Sequence, residues 1–279
     1  MKRITGSLLV GAAILLLGGA AALRAEVSEP DQTALHSQYV KKVLIFRKSY
    51  RARSRLEVNS DGSVAGNLPP GFWSMDGACQ VKDLEFRKDS VTLKCAKLWA
   101  NIKDDSQLHY FPASAAVKGK SEYPENIDIV FRTAKTEVSA ANFQERVKQI
   151  FLGEEDSTLS AAPAPIAAYI QKVAIEPDID PTGTKAFDGT PPQAISTPIP
   201  DLSREAALVG QAGKEEFIAL VDDKGRASVM GFTHLLQYGL EETTMEAVKA
   251  WKFQPAMKDG KPVAVRMAME IEYKRPNPK

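Results

Sequence analysis

Cysteine and histidine are scarce in this sequence. Two cysteines, Cys79 and Cys95, and three histidines, His36, His109 and His234, are spread over 279 residues. That excludes a zinc framework of closely spaced ligands and a multi-bridge disulfide scaffold. No Gly-x-Ser-x-Gly, no His-Glu-x-x-His and no glycine-rich phosphate loop occurs, so the common hydrolase, metalloprotease and nucleotide-binding signatures are missing. An excess of one charge is missing too: 36 Lys and Arg balance 35 Asp and Glu, so nucleic-acid binding is not expected. The acidic runs Asp104-Asp105 and Glu154-Glu155-Asp156 lie on polar stretches and read as solvated faces rather than acid/base pairs. The residues point to a non-enzyme with no metal and no cofactor.

The one long apolar run is at the start. Met1-Lys-Arg3 is a positive region, Leu8 to Leu17 is apolar, and Gly18 to Ala25 is rich in small residues, with Ala20, Ala22 and Ala25 at cleavage-site spacing. Residues 1–25 read as a secretory signal. Ile4 to Leu23 is also long enough to span a bilayer, so an uncleaved inner-membrane anchor is the alternative. Either way the chain is expected to be exported to the periplasm. No Cys follows the apolar run, which argues against a lipid-anchored lipoprotein.

The remainder is expected to be α+β. Val27 to Tyr39 is polar and reads as loosely ordered. Residues 40–152 read as a β-rich domain of unknown function that ends in a helix. In it, Arg47 to Arg55 alternates basic residues with Tyr50 and Ala52, as a strand with one solvated face does. Phe72 and Trp73 read as core plugs. Leu84 and Phe86, then Val91, Leu93 and Cys95, form a hairpin about Arg87 to Ser90. Ile127, Ile129 and Phe131 form a later strand. Ser139 can cap a helix whose stripe is Phe143, Val147, Ile150 and Phe151, with Gly153 at its end. Cys79 and Cys95 fall on neighbouring strands, and in an exported chain an even count predicts a disulfide, worth ~3 kcal/mol in the chain-entropy model. The turn position sets Cys95 nearer Val81 than Cys79, so the bond requires a bulge. Residues 153–197 carry six prolines, from Pro163 to Pro192, with Pro198 and Pro200 just beyond, and read as an extended, weakly packed linker with a short helix near Ile166 to Lys172.

The last part is the most strongly patterned. Phe217 to Val221 and Ala227 to Phe232 alternate as strands about Asp222-Asp223-Lys224-Gly225, where Gly225 can take positive φ. Leu240, Thr244, Ala247, Val248 and Trp251 recur at helical spacing, with Gly239 as N-cap and Glu241 and Glu242 in the first turn. Pro255 bars the helix from continuing, and Asp259-Gly260 makes a tight turn. Val263, Val265, Met267, Met269, Ile271 and Tyr273 then alternate with Ala264, Arg266, Ala268, Glu270 and Glu272, as a strand with one buried face does. The order is ββαβ over residues 198–279.

This unit resembles the TonB C-terminal domain family. The matching positions are Asp223 to Gly225, Ala247, Val248, Trp251, Phe253, Pro255, Ala256, Gly260, Pro262 and Val263. Pro200, Ser203 and Ala206 match the family's short first helix, and Gly213 the glycine before its first strand, whereas Ala207 replaces an Arg common there. The resemblance implies a non-enzymatic envelope protein that supports transport by binding a segment of an outer-membrane receptor. The receptor strand pairs with the last strand of the domain, whose matching positions here are Val263, Ala264, Val265, Arg266, Met267, Ala268, Met269, Glu270 and Ile271. In that family the membrane helix carries a His that meets the inner-membrane motor. Residues 1–25 contain none, so contact with the motor is not implied. A structural role, with the domain docking on its own chain or self-associating, is the other expectation.

Overall fold

The computed structural model describes residues 27–103, 107–117, 124–133, 139–180 and 187–275. Residues 1–25, where the export segment is expected, and the Asp104-Asp105 run lie outside them. Among the described residues no helix is long and apolar enough to cross a membrane.

The described chain begins with helix α1, Glu29–Tyr39, where loose structure was expected. The Ser28 side chain accepts from the Asp31 amide, Pro30 occupies the first turn, and Leu35 and Tyr39, one turn apart, are buried. A capped helix needs only those two apolar contacts to dock, which is too weak a pattern to read in advance. Strand β1, Val43–Ile45, follows. The expected strand over Arg47 to Arg55 does not form. Tyr50 makes a single bridge to Pro70, Arg47 turns to the Lys148 carbonyl and Asp156, and regular pairing starts only in β2, Arg55–Val58. A one-turn helix α2, Trp73–Asp76, leads into β3, Ala78–Arg87, and β4, Ser90–Ile102. Then come β5, Leu108–Pro112, a short helix α3, Ala113–Ala116, β6, Asn126–Arg132, and α4, Ala140–Ile150.

These strands form one sheet in the order β1-β3-β4-β6-β2, with β5 on the far half of β4. Only the β2–β6 pair is parallel. Ser139 caps α4 as expected, accepting from the Asn142 amide at 3.2 Å. The helix stops at Phe151 rather than Gly153, because Phe151 turns extended and bridges Phe46. Helices α1 and α4 cover one sheet face, and Tyr39 and Phe131 both meet the Phe143 ring edge-on.

The expected Cys79–Cys95 disulfide is not formed, and both residues are buried free thiols. The reason is register. A bulge between Val81 and Asp83 pairs Cys95 with Val81 and Cys79 with Lys97, so the two cysteines are diagonal neighbours. Diagonal Cα atoms lie about 7–8 Å apart, beyond the usual disulfide span. A hydrogen bond with Cys95, and then burial, push the Cys79 thiol well above its ordinary range.

Residues 153–197 are not a weakly packed linker. Helix α5, Ala164–Ile170, buries Ile166, and strand β7, Gln193–Ser196, is hydrogen-bonded further on. After them come α6, Arg204–Val209, β8, Gly213–Val221, β9, Ala227–His234, and α7, Leu240–Ala250. Three short strands follow, β10, Lys252–Gln254, β11, Ala256–Lys258, and β12, Lys261–Val263, then β13, Val265–Tyr273. The second sheet has the order β13-β8-β9. Helix α7 lies on the face that carries Glu215, Phe217 and Val221. The opposite face, at Ile218 and Gly231, is covered by α5 and Ile175. The proline-rich stretch is therefore a belt: β7 pairs with β10, Thr190 bridges Met257, and the Pro198 carbonyl accepts from Trp251 Nε1 at 3.0 Å.

The two sheets share a contact. Ser74 donates from its amide and its hydroxyl to the Glu242 carboxylate, both at 3.0 Å. The Gln237 side-chain amide accepts from the Ile102 amide at 2.9 Å and donates to its carbonyl at 3.1 Å. Trp99 meets Tyr238 edge-on, and Trp73 packs in the second core as the expected plug. A Cβ on Gly239 would stand 2.6 Å from the Phe72 ring.

Two outcomes follow for unfolding experiments. Two thiols should react with a thiol reagent, but only once the chain is unfolded; a denatured chain with no reactive thiol would mean the cysteines are bonded. Trp251, 6 % exposed and in contact with Phe217 and Phe253, closes the second core. Trp251→Ala should lower stability by ~3–5 kcal/mol in urea unfolding; a loss below ~1 kcal/mol would contradict this packing.

Candidate functional site

Strand β13 is one of the two edge strands of its sheet. Its register with β8 runs unbroken from Val265↔Val221 to Tyr273↔Gly213. In such a ladder, alternate residues aim their backbone groups at one neighbour and the residues between aim at the other. The Arg266 carbonyl accepts from the amides of Asp178 and Ile179 at 2.8 and 3.1 Å, and the Ala268 amide donates to the Ile179 carbonyl at 3.1 Å. Arg266 and Ala268 thus face away from β8, and by the same alternation so do Glu270 and Glu272. The outward groups of Glu270 and Glu272 have no backbone partner among the described residues.

Beside this open half lies a groove of about 390 Å³. Trp251 and Phe253 line it with Met269 and Ile271 on one side and Thr197 and Ile199 on the other. Ile195 and Ile199, in and just after β7, are 63 % and 70 % exposed. An open row of backbone donors and acceptors beside apolar walls is what an extended peptide needs. Of the nine positions expected to form one edge strand, seven lie on β13. Val263 and Ala264 do not. Val263 pairs with Ala256 in the β11–β12 hairpin, and Ala264 is the break after it.

A family model described as the Gram-negative bacterial TonB protein C-terminal matches residues 198–275. Residues 198–275 are a TonB C-terminal domain. A solution structure of the Pseudomonas aeruginosa TonB C-terminal domain is 18 % identical, covers 33 % of this chain and 95 % of that one, and superposes with a TM-score of 0.26. No curated protein matches the chain.

In this TonB domain the motif residues shape the backbone around the groove. Gly225 has φ +74° and its carbonyl accepts from the Phe253 amide; a Cβ there would lie 1.9 Å from the Phe253 carbonyl oxygen. No side chain can replace it without moving β10. Gly260, with φ +73°, and Asp259 make the β11–β12 turn. Ala256 is fully buried, Pro255 separates β10 from β11, and Pro262 pairs with Met257. Cys79 and Cys95 lie in the first sheet, away from the groove.

Sequence reasoning missed two parts of the site. One is Asp178 and Ile179 of the belt. Their signal was the alternation Ile175, Pro177, Ile179 inside a stretch read only for its prolines. The other is a buried set of carboxylates at α7, of which Glu241 and Glu242 were read only as first-turn helix charges and Glu215 was not singled out. Glu215 is fully buried; it accepts from the Leu236 amide and the Thr244 hydroxyl, and Thr244 also meets the Tyr273 hydroxyl at 2.8 Å. Glu241 is buried with one carboxylate oxygen unpartnered. Among the described residues no group of three or more His, Cys, Asp or Glu could hold a metal.

Burial pushes the Glu215 carboxyl up to about 7, and Asp76, at the end of α2, up to about 6. It raises Glu241 and Glu242 as well. Each of these groups holds its proton more tightly folded than unfolded. Their contribution is therefore complete below the ordinary carboxylate range, and it is lost as pH rises through about 6 to 7. The urea midpoint should fall between pH 5 and pH 8, and Glu215→Gln should flatten that fall. A midpoint that rises over the same interval would contradict the assignment.

Proposed function

We propose that this is a non-enzymatic cell-envelope protein of the TonB energy-transducer type. It binds a short segment of an outer-membrane receptor by adding it as a strand to β13, in support of transport across the outer membrane. The observation that carries this reading is the outward backbone row of Glu270 and Glu272, without a backbone partner among the described residues, beside the Trp251–Phe253 groove within a TonB C-terminal domain. Backbone hydrogen bonds supply affinity, and the alternation of side chains sets register. The protein acts from the periplasm, either free after signal cleavage or held in the inner membrane by residues 1–25. Only the anchored form could transmit force to a bound receptor.

The contact between the two sheets favours a second reading, in which the domain is a scaffold docked on its own chain. The Ser74–Glu242 and Ile102–Gln237 hydrogen bonds hold it there. These docking contacts do not involve β13, so the two roles are compatible; a purely structural role would need no receptor.

Pull-down of outer-membrane proteins from detergent extract onto the full chain separates the two. The wild type should capture β-barrel receptors. Glu270→Ala should bind nearly as well, because only a side chain in an exposed pair with Lys214 is lost. Glu270→Pro should lose the barrels while keeping its circular dichroism, because proline removes an outward amide that has no backbone partner among the described residues. Met269→Pro removes an amide facing β8 and should unfold the sheet. If the wild type captures no barrel, the receptor reading falls and the scaffold reading stands.

A further inference from the structure

The edge of β13 is half filled by the chain itself. Ile179 bridges Met267 in parallel register, and the two belt amides and the Ala268 amide complete the ladder there. Asp178 adds a side-chain clamp. Its carboxylate takes the Arg266 backbone amide at 2.9 Å, Arg266 Nε at 3.2 Å and Arg266 Nη2 at 2.7 Å. A two-nitrogen guanidinium contact of this kind fixes orientation as well as adding energy. Both side chains remain more than a third exposed, so the clamp is screened by water and can open.

Among the described residues the belt pairs with Arg266 and Ala268 and not with Glu270 and Glu272. It lies N-terminal to the family domain, which begins at residue 198.

We propose that Asp178–Ile179 is a ligand held in cis on the β13 edge. It is displaced by an extended segment that carries a carboxylate followed by an aliphatic residue and that pairs in the same parallel register, with Arg266 reading the carboxylate. This rests on β13 being the receptor-binding edge and adds what the edge selects and what it must release first. A segment lacking the acid gains only the open half of the edge. A segment carrying it replaces the Asp178 clamp with an equivalent one and continues along the edge to the amides of Glu270 and Glu272.

The test uses the full chain and two readouts that need no receptor. The first is hydrogen exchange at the Ala268 amide. Asp178→Ala should speed exchange there by about tenfold or more, since a weakly held segment opens more often, and leave the Ile271 amide, which faces β8, unchanged. The second is fluorescence anisotropy with a labelled synthetic peptide of the chain's own sequence from Glu176 to Asp180. It should bind Asp178→Ala about tenfold more tightly than wild type, because freeing the edge raises the competent fraction. Adding Arg266→Ala should remove that gain. Circular dichroism checks that both variants fold. Unchanged Ala268 exchange in Asp178→Ala overturns the cis ligand. Peptide binding that is equal in wild type and Asp178→Ala, absent from both, or insensitive to Arg266→Ala overturns the selection by Arg266. If exchange and peptide binding behave as stated while no barrel is captured, the receptor reading has failed and the cis ligand stands; captured barrels with unchanged exchange mean the reverse.

Discussion

A three-stranded sheet has two faces, and a single helix can cover only one. The architecture of residues 164–275 is built around that constraint. Helix α7 and Trp251 take the face that carries Phe217 and Val221, and the other face, at Ile218 and Gly231, would be left in water without α5. Burial of such apolar surface is worth roughly 25 cal/mol per Å². The proline-rich belt is therefore drawn onto the sheet by the same force that packs α7. Once there it continues past β13, β11 and β10, and it meets backbone groups that need partners at each.

That route decides what remains open. Among the described residues the belt takes the outward groups of Arg266 and Ala268, and none takes those of Glu270 and Glu272. An edge strand with a full row of free donors and acceptors invites pairing with any other chain, including a second copy of itself. Here the row is shortened from within the molecule. What is left is a short row beside an apolar groove, too brief for indiscriminate sheet growth and suited to an extended segment.

The junction between the sheets has a different character. It joins Trp73, Trp99 and Tyr238 with polar contacts that are closely matched, such as both hydrogen bonds of Gln237 to Ile102. It also keeps Glu242 and Asp76 near one another in poorly hydrated positions, where like charges oppose ionisation. Protons thus support this packing, which ties its strength to pH. Cys79 and Cys95 contribute as buried side chains of the first core and not as a cross-link.

Local patterning alone determined the TonB domain: the hairpin at Gly225, the Gly239-capped helix, the tight turn at Gly260 and the alternation through Tyr273 are all short-range signals. The helix with Phe143, Val147 and Ile150 was equally legible, because its period and its Ser139 cap agree. Tertiary structure decided the rest, since its causes lie far apart in sequence. Helix α1 exists because Leu35 and Tyr39 find a sheet to dock on. The cysteines stay apart because, even with the bulge at Lys82, the register pairs Cys95 with Val81 and Cys79 with Lys97. The sequence marked β13 as a strand with one buried face, but only the packing showed which of its amides point outward. Nothing local to Asp178 indicates that its partner is Arg266, 88 residues away. Prolines rule out helix and central strand, and they do not rule out a belt laid along a sheet edge.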